Sequence, residues 1–86
     1  MIDKDKNPVE WVGLMYELED AHEHLGNLIS EMMSDPEFDE TDFTISLGHI
    51  FSHLNRAWYR RQLGSEVTED TWETASQFPN DLDPIG

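Results

Sequence analysis

The sequence predicts an all-α protein: an antiparallel helical hairpin of two long amphipathic helices, followed by a short third helix. Apolar residues recur at alternating steps of three and four along two long stretches, which is the spacing of one helical face. A short connection rich in acids and turn-forming residues, Ser34 to Thr41, separates the stretches and favours an antiparallel pair. In the first stretch the repeating residues are Trp11, Leu14, Leu18, Ala21, Leu25, Leu28 and Met32.

The first helix is predicted over residues 8–33, after an N-terminal arm of residues 1–7. Asn7 can cap the free backbone amides of the first turn, and Pro8 suits the first helical position. Pro36 disfavours helical backbone at the residue before it, so the helix is expected to stop there.

The second helix is predicted over residues 40–63, with Asp39 or Thr41 as its cap and Gly64 closing its end. A third helix is predicted over residues 69–77, capped by Thr68 and ended near Pro79. The whole forms one helical domain, residues 8–78, followed by an extended tail, residues 79–86.

The charge balance limits the classes of partner. Five Lys and Arg residues stand against 19 Asp and Glu residues, a formal net charge of −14. Such a surface repels phosphate and anionic lipid, so neither direct nucleic-acid binding nor membrane binding is expected. Solubility alone accounts for such acidity, and a basic protein partner would also suit it. The chain has no cysteine and no apolar run of the roughly 20 residues that span a bilayer, so a cytoplasmic location is predicted.

The width of the two apolar stripes predicts a homodimer. Each stripe covers about three-sevenths of its helix, which is wider than the seam of a simple helix pair, so apolar surface is left facing outward. A third helix of about ten residues is too short to shield it. Two hairpins are therefore expected to pair into a four-helix bundle. The predicted interface residues are Trp11, Leu18, Leu25, Ile50, Leu54, Trp58 and Trp72.

The four histidines are the residues that suggest metal chemistry. In the predicted hairpin His22 lies at about the height of His53, and Glu19 with His22 makes an i, i+3 carboxylate–histidine pair of the kind used in di-iron bundles. A di-iron site needs several inward carboxylates, and the second helix offers none at this level. No metal or cofactor is therefore predicted, and these three residues are the weak candidates for a metal site.

A basic ridge runs along the second helix and comprises His49, His53, Arg56 and Arg60. Within the chain, Glu10 or Glu17 is expected to pair with Arg60 or Arg61 across the hairpin. The alternative is that the ridge meets an acidic surface of another molecule.

Catalysis is not predicted, because the chain contains no phosphate-binding glycine loop and no nucleophile motif. The leading interpretation is a small acidic protein–protein interaction module that associates with itself. One alternative is an acidic decoy or inhibitor of a basic protein, such as a nucleic-acid-binding protein. A second alternative is a histidine-based metal binder.

Overall fold

The computed structural model describes residues 1–86 and confirms the all-α hairpin with a short third helix. Helix α1 spans Pro8–Ser34, α2 spans Glu40–Tyr59 and α3 spans Trp72–Ser76. The two long helices pack against each other, whereas α3 packs on α2 and makes no contact with α1. The hairpin is therefore covered by the third helix along the outer side of α2 only.

The N-terminal arm is part of the core, which the sequence pattern did not predict. The backbone N–H of Ile2 donates to the carbonyl of Arg61 at 2.7 Å, and the Ile2 side chain is buried. Asn7 makes no side-chain bond to the amides of α1. Its side-chain oxygen instead accepts the backbone N–H of Asp3 at 3.0 Å, which folds the arm back on itself. The capping role predicted for Asn7 is therefore wrong.

Helix α2 begins as predicted and ends early. Asp39 and Asp42 form a reciprocal capping box, in which each side chain accepts the other residue's backbone N–H, at 2.9 and 3.2 Å. The helix ends at Tyr59, four residues before the predicted end. Residues 60–64 form a turn that finishes at Gly64, whose φ of +86° suits glycine. The Arg61 carbonyl that binds the N-terminal arm belongs to this turn.

Helix α3 has five residues, about one and a half turns, and is shorter than the helix predicted over residues 69–77. Thr68 does not cap it; the Thr71 hydroxyl accepts the Thr68 backbone N–H and donates to the Glu66 carbonyl, both at 2.8 Å. These bonds hold the preceding residues in a turn. Ala75, only 1% exposed, is the most buried residue of this segment. The tail is anchored by Asp81, whose carboxylate accepts the indole N–H of Trp58 at 2.9 Å.

The apolar core is small and divided in two. One cluster lies at the open end of the hairpin and the other toward the connection, and neither contains a large side chain that is fully buried. Glu17 lies between them along α1. The cluster at the open end comprises Ile2, Leu14 and Ala57, and the cluster toward the connection comprises Ala21, Leu28 and Ile50.

Candidate functional site

A buried carboxylate lies at the centre of the hairpin. Glu17 is 7% exposed, although it is charged and lies between the buried Leu14 and Ala21 on α1. One carboxylate oxygen accepts from His53 Nδ1 at 2.9 Å. The other accepts from Arg56 Nε at 2.9 Å and from Arg60 Nε at 3.3 Å. Two side chains of α2 and one from the turn after it thus converge on one side chain of α1 and fix the register of the two helices.

The protonation state of Glu17 follows from these partners. Burial by itself raises the pKa of Glu17, but hydrogen bonds from His53, Arg56 and Arg60 outweigh it, with help from the Arg56 charge. The pKa of Glu17 therefore lies below its usual value, and the group is ionised at neutral pH. An ionised carboxylate only accepts hydrogen bonds, so His53 Nδ1 carries the proton. The His53 Nε2 atom lies on the other side of the ring, 3.2 Å from His49 Nε2.

Arg56 connects this network to the third helix. It is 3% exposed, and its Nη1 donates to the Ser76 hydroxyl at 2.8 Å. Its guanidinium lies 4.1 Å from the ring centroid of Trp72, a cation–π contact. Asn55 adds a bond to the Ser76 carbonyl at 2.9 Å. The position of α3 therefore depends on the same arginine that neutralises Glu17.

The absence of a side chain at Gly13 lets Arg60 lie across α1. A Cβ atom at this position would come within 3.0 Å of Arg60 Nη1. Gly26, elsewhere in the same helix, has no such neighbour within 4 Å. Glycine costs about 1 kcal/mol of helix stability relative to alanine. At Gly13 this cost accompanies the close approach of the Arg60 guanidinium, which pairs with Glu17.

Three imidazoles converge beside the buried carboxylate. His49 and His53, four residues apart, share one ridge of α2, and His24 of α1 lies opposite them. His49 Nε2 lies 3.1 Å from His24 Nε2 and 3.2 Å from His53 Nε2. The His49 ring is nearly perpendicular to the other two, which are close to parallel. We call these residues the histidine cluster.

The histidine cluster grades from buried to exposed. His53 is buried against Glu17, His24 is half-buried, and His49 faces solvent. Partial burial lowers the pKa of His49, and the neighbouring His24, His53 and Arg56 lower it further, against an opposing effect of Asp20. His49 is therefore neutral at neutral pH, and one of its ring nitrogens keeps a lone pair.

The predicted metal candidates are only partly brought together. His53 belongs to the histidine cluster, whereas His22 and Glu19 are exposed and lie outside it. The His22–His53 alignment assumed that the centre of the apolar stripe faces α2. The buried residues of α1 are instead Leu14, Glu17, Ala21 and Leu28, which rotates His24 toward the partner helix.

The basic ridge turns partly inward. His53 and Arg56 are buried, and both donate to Glu17, as does the half-buried Arg60. The pairing of Glu17 with Arg60 is the one expected within the chain.

Arg61 stacks on Trp58, 3.6 Å from the ring centroid, and pairs with Asp81 at 3.2 Å. All three arginines are thus engaged by side chains of this chain.

A simple rule describes how the two sides of the hairpin differ. The residue three positions after a buried one lies about 60° to one side of it, and the residue four positions after it lies about 40° to the other. For four of the five buried apolar residues of the long helices, the residue at i+3 is polar and the residue at i+4 is apolar; Ala57, followed by Arg60 and Arg61, is the exception. The triplets are Leu14, Glu17 and Leu18; Ala21, His24 and Leu25; Leu28, Glu31 and Met32; and Ile50, His53 and Leu54.

These offsets give the hairpin one polar and one apolar face. In an antiparallel pair, offsets of the same sense fall on the same face of the two helices, so the histidine cluster and Glu17 lie on one face. We call the opposite side the apolar face: Leu18, Leu25 and Met32 of α1 and Leu54 of α2, which are between 39% and 51% exposed.

The predicted interface residues are distributed between the core and this face. Leu18, Leu25 and Leu54 lie on the apolar face, and Ile50 is buried in the core. Trp11 lies seven residues before Leu18, in the same row of α1, and is half-buried against the Ile2, Leu14 and Ala57 cluster. Trp58 is also half-buried, and Trp72 is 52% exposed beneath the Arg56 guanidinium.

Comparison with known proteins gives no match to a family model, to a curated protein or to a solved structure. None of the three helices combines the length and the apolar character that crossing a membrane requires. Functional inference therefore depends on the two faces described above.

Proposed function

We propose that this protein is a self-associating helical module in which two hairpins pair through their apolar faces into a four-helix bundle. The observation that carries the proposal is the apolar face itself. Four large apolar side chains at matched offsets, on both long helices, are each about two-fifths to one-half exposed. Scattered exposed apolar residues are ordinary, but a contiguous apolar face typically marks an interaction site.

The rest of the chain reaches this face only at Leu54 and leaves Leu18, Leu25 and Met32 exposed. Helix α3 packs on α2 alone, and the tail lies along α2, where Phe78, Leu82 and Ile85 border a groove with Leu54. The core beneath contains only two clusters of three residues. A second copy would offer the same apolar residues in a self-complementary arrangement, and two-fold dimers are the commonest oligomers.

The distribution of charge supports pairing of two acidic chains. Between Phe43 and Tyr59 helix α2 contains no Asp or Glu, and Glu19 and Glu23 of α1 lie away from the apolar face. Carboxylates of the two chains would therefore not face each other where the two apolar faces pack together. Repulsion between two chains of formal charge −14 would act over a longer range, through solvent.

Ionic strength separates this proposal from its alternative, an acidic decoy that binds a basic protein. We expect light scattering to give twice the mass of one chain, and the dimer to tighten between about 0.01 M and about 0.15 M salt as the Debye length falls from about 30 to about 8 Å. Binding to beads coated with polylysine, which stand in for a basic protein, should weaken over the same range.

A monomer at all concentrations and both salt levels would contradict self-association. If the monomer also bound the polylysine bead in low salt, the acidic decoy would become the favoured function in place of self-association. The working environment we propose is the cytoplasm, where a chain without cysteines loses nothing to reducing conditions.

A further inference from the structure

We propose that His24, His49 and His53 form a binding site for a divalent transition-metal ion of the zinc class, coordinated by their Nε2 atoms. This site lies on the polar face, opposite the apolar face, so it goes beyond the proposed self-association and is tested independently of it. Imidazole nitrogens are preferred ligands of zinc, copper, nickel and cobalt ions, whereas magnesium and calcium prefer oxygen.

The geometry of the histidine cluster is close to what such an ion requires. Zinc–nitrogen bonds of about 2.0–2.1 Å in a tetrahedral site put the nitrogens about 3.3–3.4 Å apart. His49 Nε2 lies 3.1 and 3.2 Å from its two neighbours, and all three ligand atoms lie within 4.8 Å of one another. A small inward movement of His24 toward His53 completes the set.

The direction in which the three rings point supports a cation at the histidine cluster. The Nδ1 atom of His53 donates to Glu17, so its Nε2 atom is the ring nitrogen that faces the cluster. His49 Nε2 lies within hydrogen-bond distance of both neighbouring Nε2 atoms, and a single N–H on His49 Nε2 cannot serve both contacts. A metal ion between the three Nε2 atoms would accept a lone pair from each of them.

Glu17 supplies the outer support that histidine ligands usually have. A ligating histidine generally donates its other N–H to a carboxylate or carbonyl, which fixes the ring and its tautomer. The bond of 2.9 Å from His53 Nδ1 to Glu17 is this arrangement, and the carboxylate is itself held by Arg56 and Arg60. Glu17 is therefore a positioning residue for the site rather than a ligand.

The fourth coordination position would open to solvent. A cleft of about 250 Å³ lies beside His24 and His49 and is bordered by Asn27, Glu31 and Ser46. Three protein nitrogens and one open position allow a water molecule to complete a tetrahedron. The strongly negative chain, with a formal charge of −14, attracts a divalent cation toward this cleft.

The experiment titrates untagged protein with zinc chloride by calorimetry and repeats the titration with cobalt chloride, whose visible absorption reports tetrahedral coordination. The test variant is His49→Ala, because His49 is exposed and its loss leaves the fold intact. The matched control is His22→Ala, an exposed histidine outside the histidine cluster. Circular dichroism verifies that both variants keep their helices.

We expect one ion per chain in the wild type and in His22→Ala. In His49→Ala the affinity should fall by about 100-fold or more, since even loss of an outer-shell partner costs about 10–100-fold. Absence of zinc and cobalt binding in the wild type would overturn the proposal. Unchanged affinity in His49→Ala would also overturn it, since the ion would then bind surface groups without using the histidine cluster.

Discussion

Replacing Glu17 with glutamine is expected to lower the free energy of unfolding by about 3–5 kcal/mol, the usual cost of breaking a buried ion pair by removing one partner. Arg56 is 3% exposed and would keep its charge without a counter-ion. His53 and Arg60 would lose the same acceptor. Because small domains are stable by only about 5–15 kcal/mol, this change removes a large part of the total.

Urea denaturation followed by circular dichroism measures this loss. Glu19→Gln is the matched control, since Glu19 is an exposed acid on the same helix and should change stability by no more than about 0.5 kcal/mol. If Glu17→Gln behaved like Glu19→Gln, the buried network would not hold the hairpin together. Loss of α3 contacts should accompany the predicted destabilisation, because Arg56 also binds Ser76.

Replacing Leu25 with glutamate is expected to dissociate the proposed dimer. Leu25 lies in the middle of the apolar face and is 42% exposed in the single chain. Fully burying a leucine is worth about 1.5–3 kcal/mol, so covering the exposed part of Leu25, about two-fifths of it, is worth about 0.6–1.3 kcal/mol, and each dimer contains two copies of the change. Losing about 1.3–2.5 kcal/mol weakens association by about 10–70-fold, before the cost of the buried charge is added.

The matched control is Tyr16→Glu on the opposite side of the same helix. Tyr16 is 62% exposed and lies about 180° from Leu25, so the same charge there should leave the dimer intact. Sedimentation equilibrium gives both dissociation constants. Equal weakening by the two variants would show that general charge repulsion, and not the apolar face, controls association.

The hairpin could be predicted from sequence because its causes are local. The three–four spacing of apolar residues, the Asp39 cap and the proline near the end of α1 each act within one or two helical turns. Ile2 could not be assigned to the core, because a single apolar residue in a charged arm has no periodicity. The early end of α2 lies beside the same long-range contact, which uses the Arg61 carbonyl.

The candidate site could be predicted only in part, for a related reason. An apolar stripe shows which residues avoid water, and the partner helix decides which edge of the stripe is buried. Glu17 can occupy the buried edge because His53, Arg56 and Arg60 surround it. That rotation brings in His24 in place of His22. The available signal was Glu17 itself, an acid between the buried Leu14 and Ala21, opposite the arginines of α2.

The central claim, that a second copy covers the apolar face, is tested most directly by distances between spin labels. The chain has no cysteine, so a single introduced cysteine takes a single label. His22→Cys places the label beside the apolar face, four residues from Leu18, and Glu23→Cys places it on the far side of α1. Both positions are near the middle of the helix, so the orientation of the two copies matters little.

Electron–electron double resonance should give a distance between the residue-22 labels of two chains of about 20 Å, because packed helix axes lie about 8–10 Å apart. The residue-23 labels should lie farther apart by roughly two helix diameters, about 20 Å more. A shorter distance at residue 23 than at residue 22, or no distance between chains at either position, would contradict the claim.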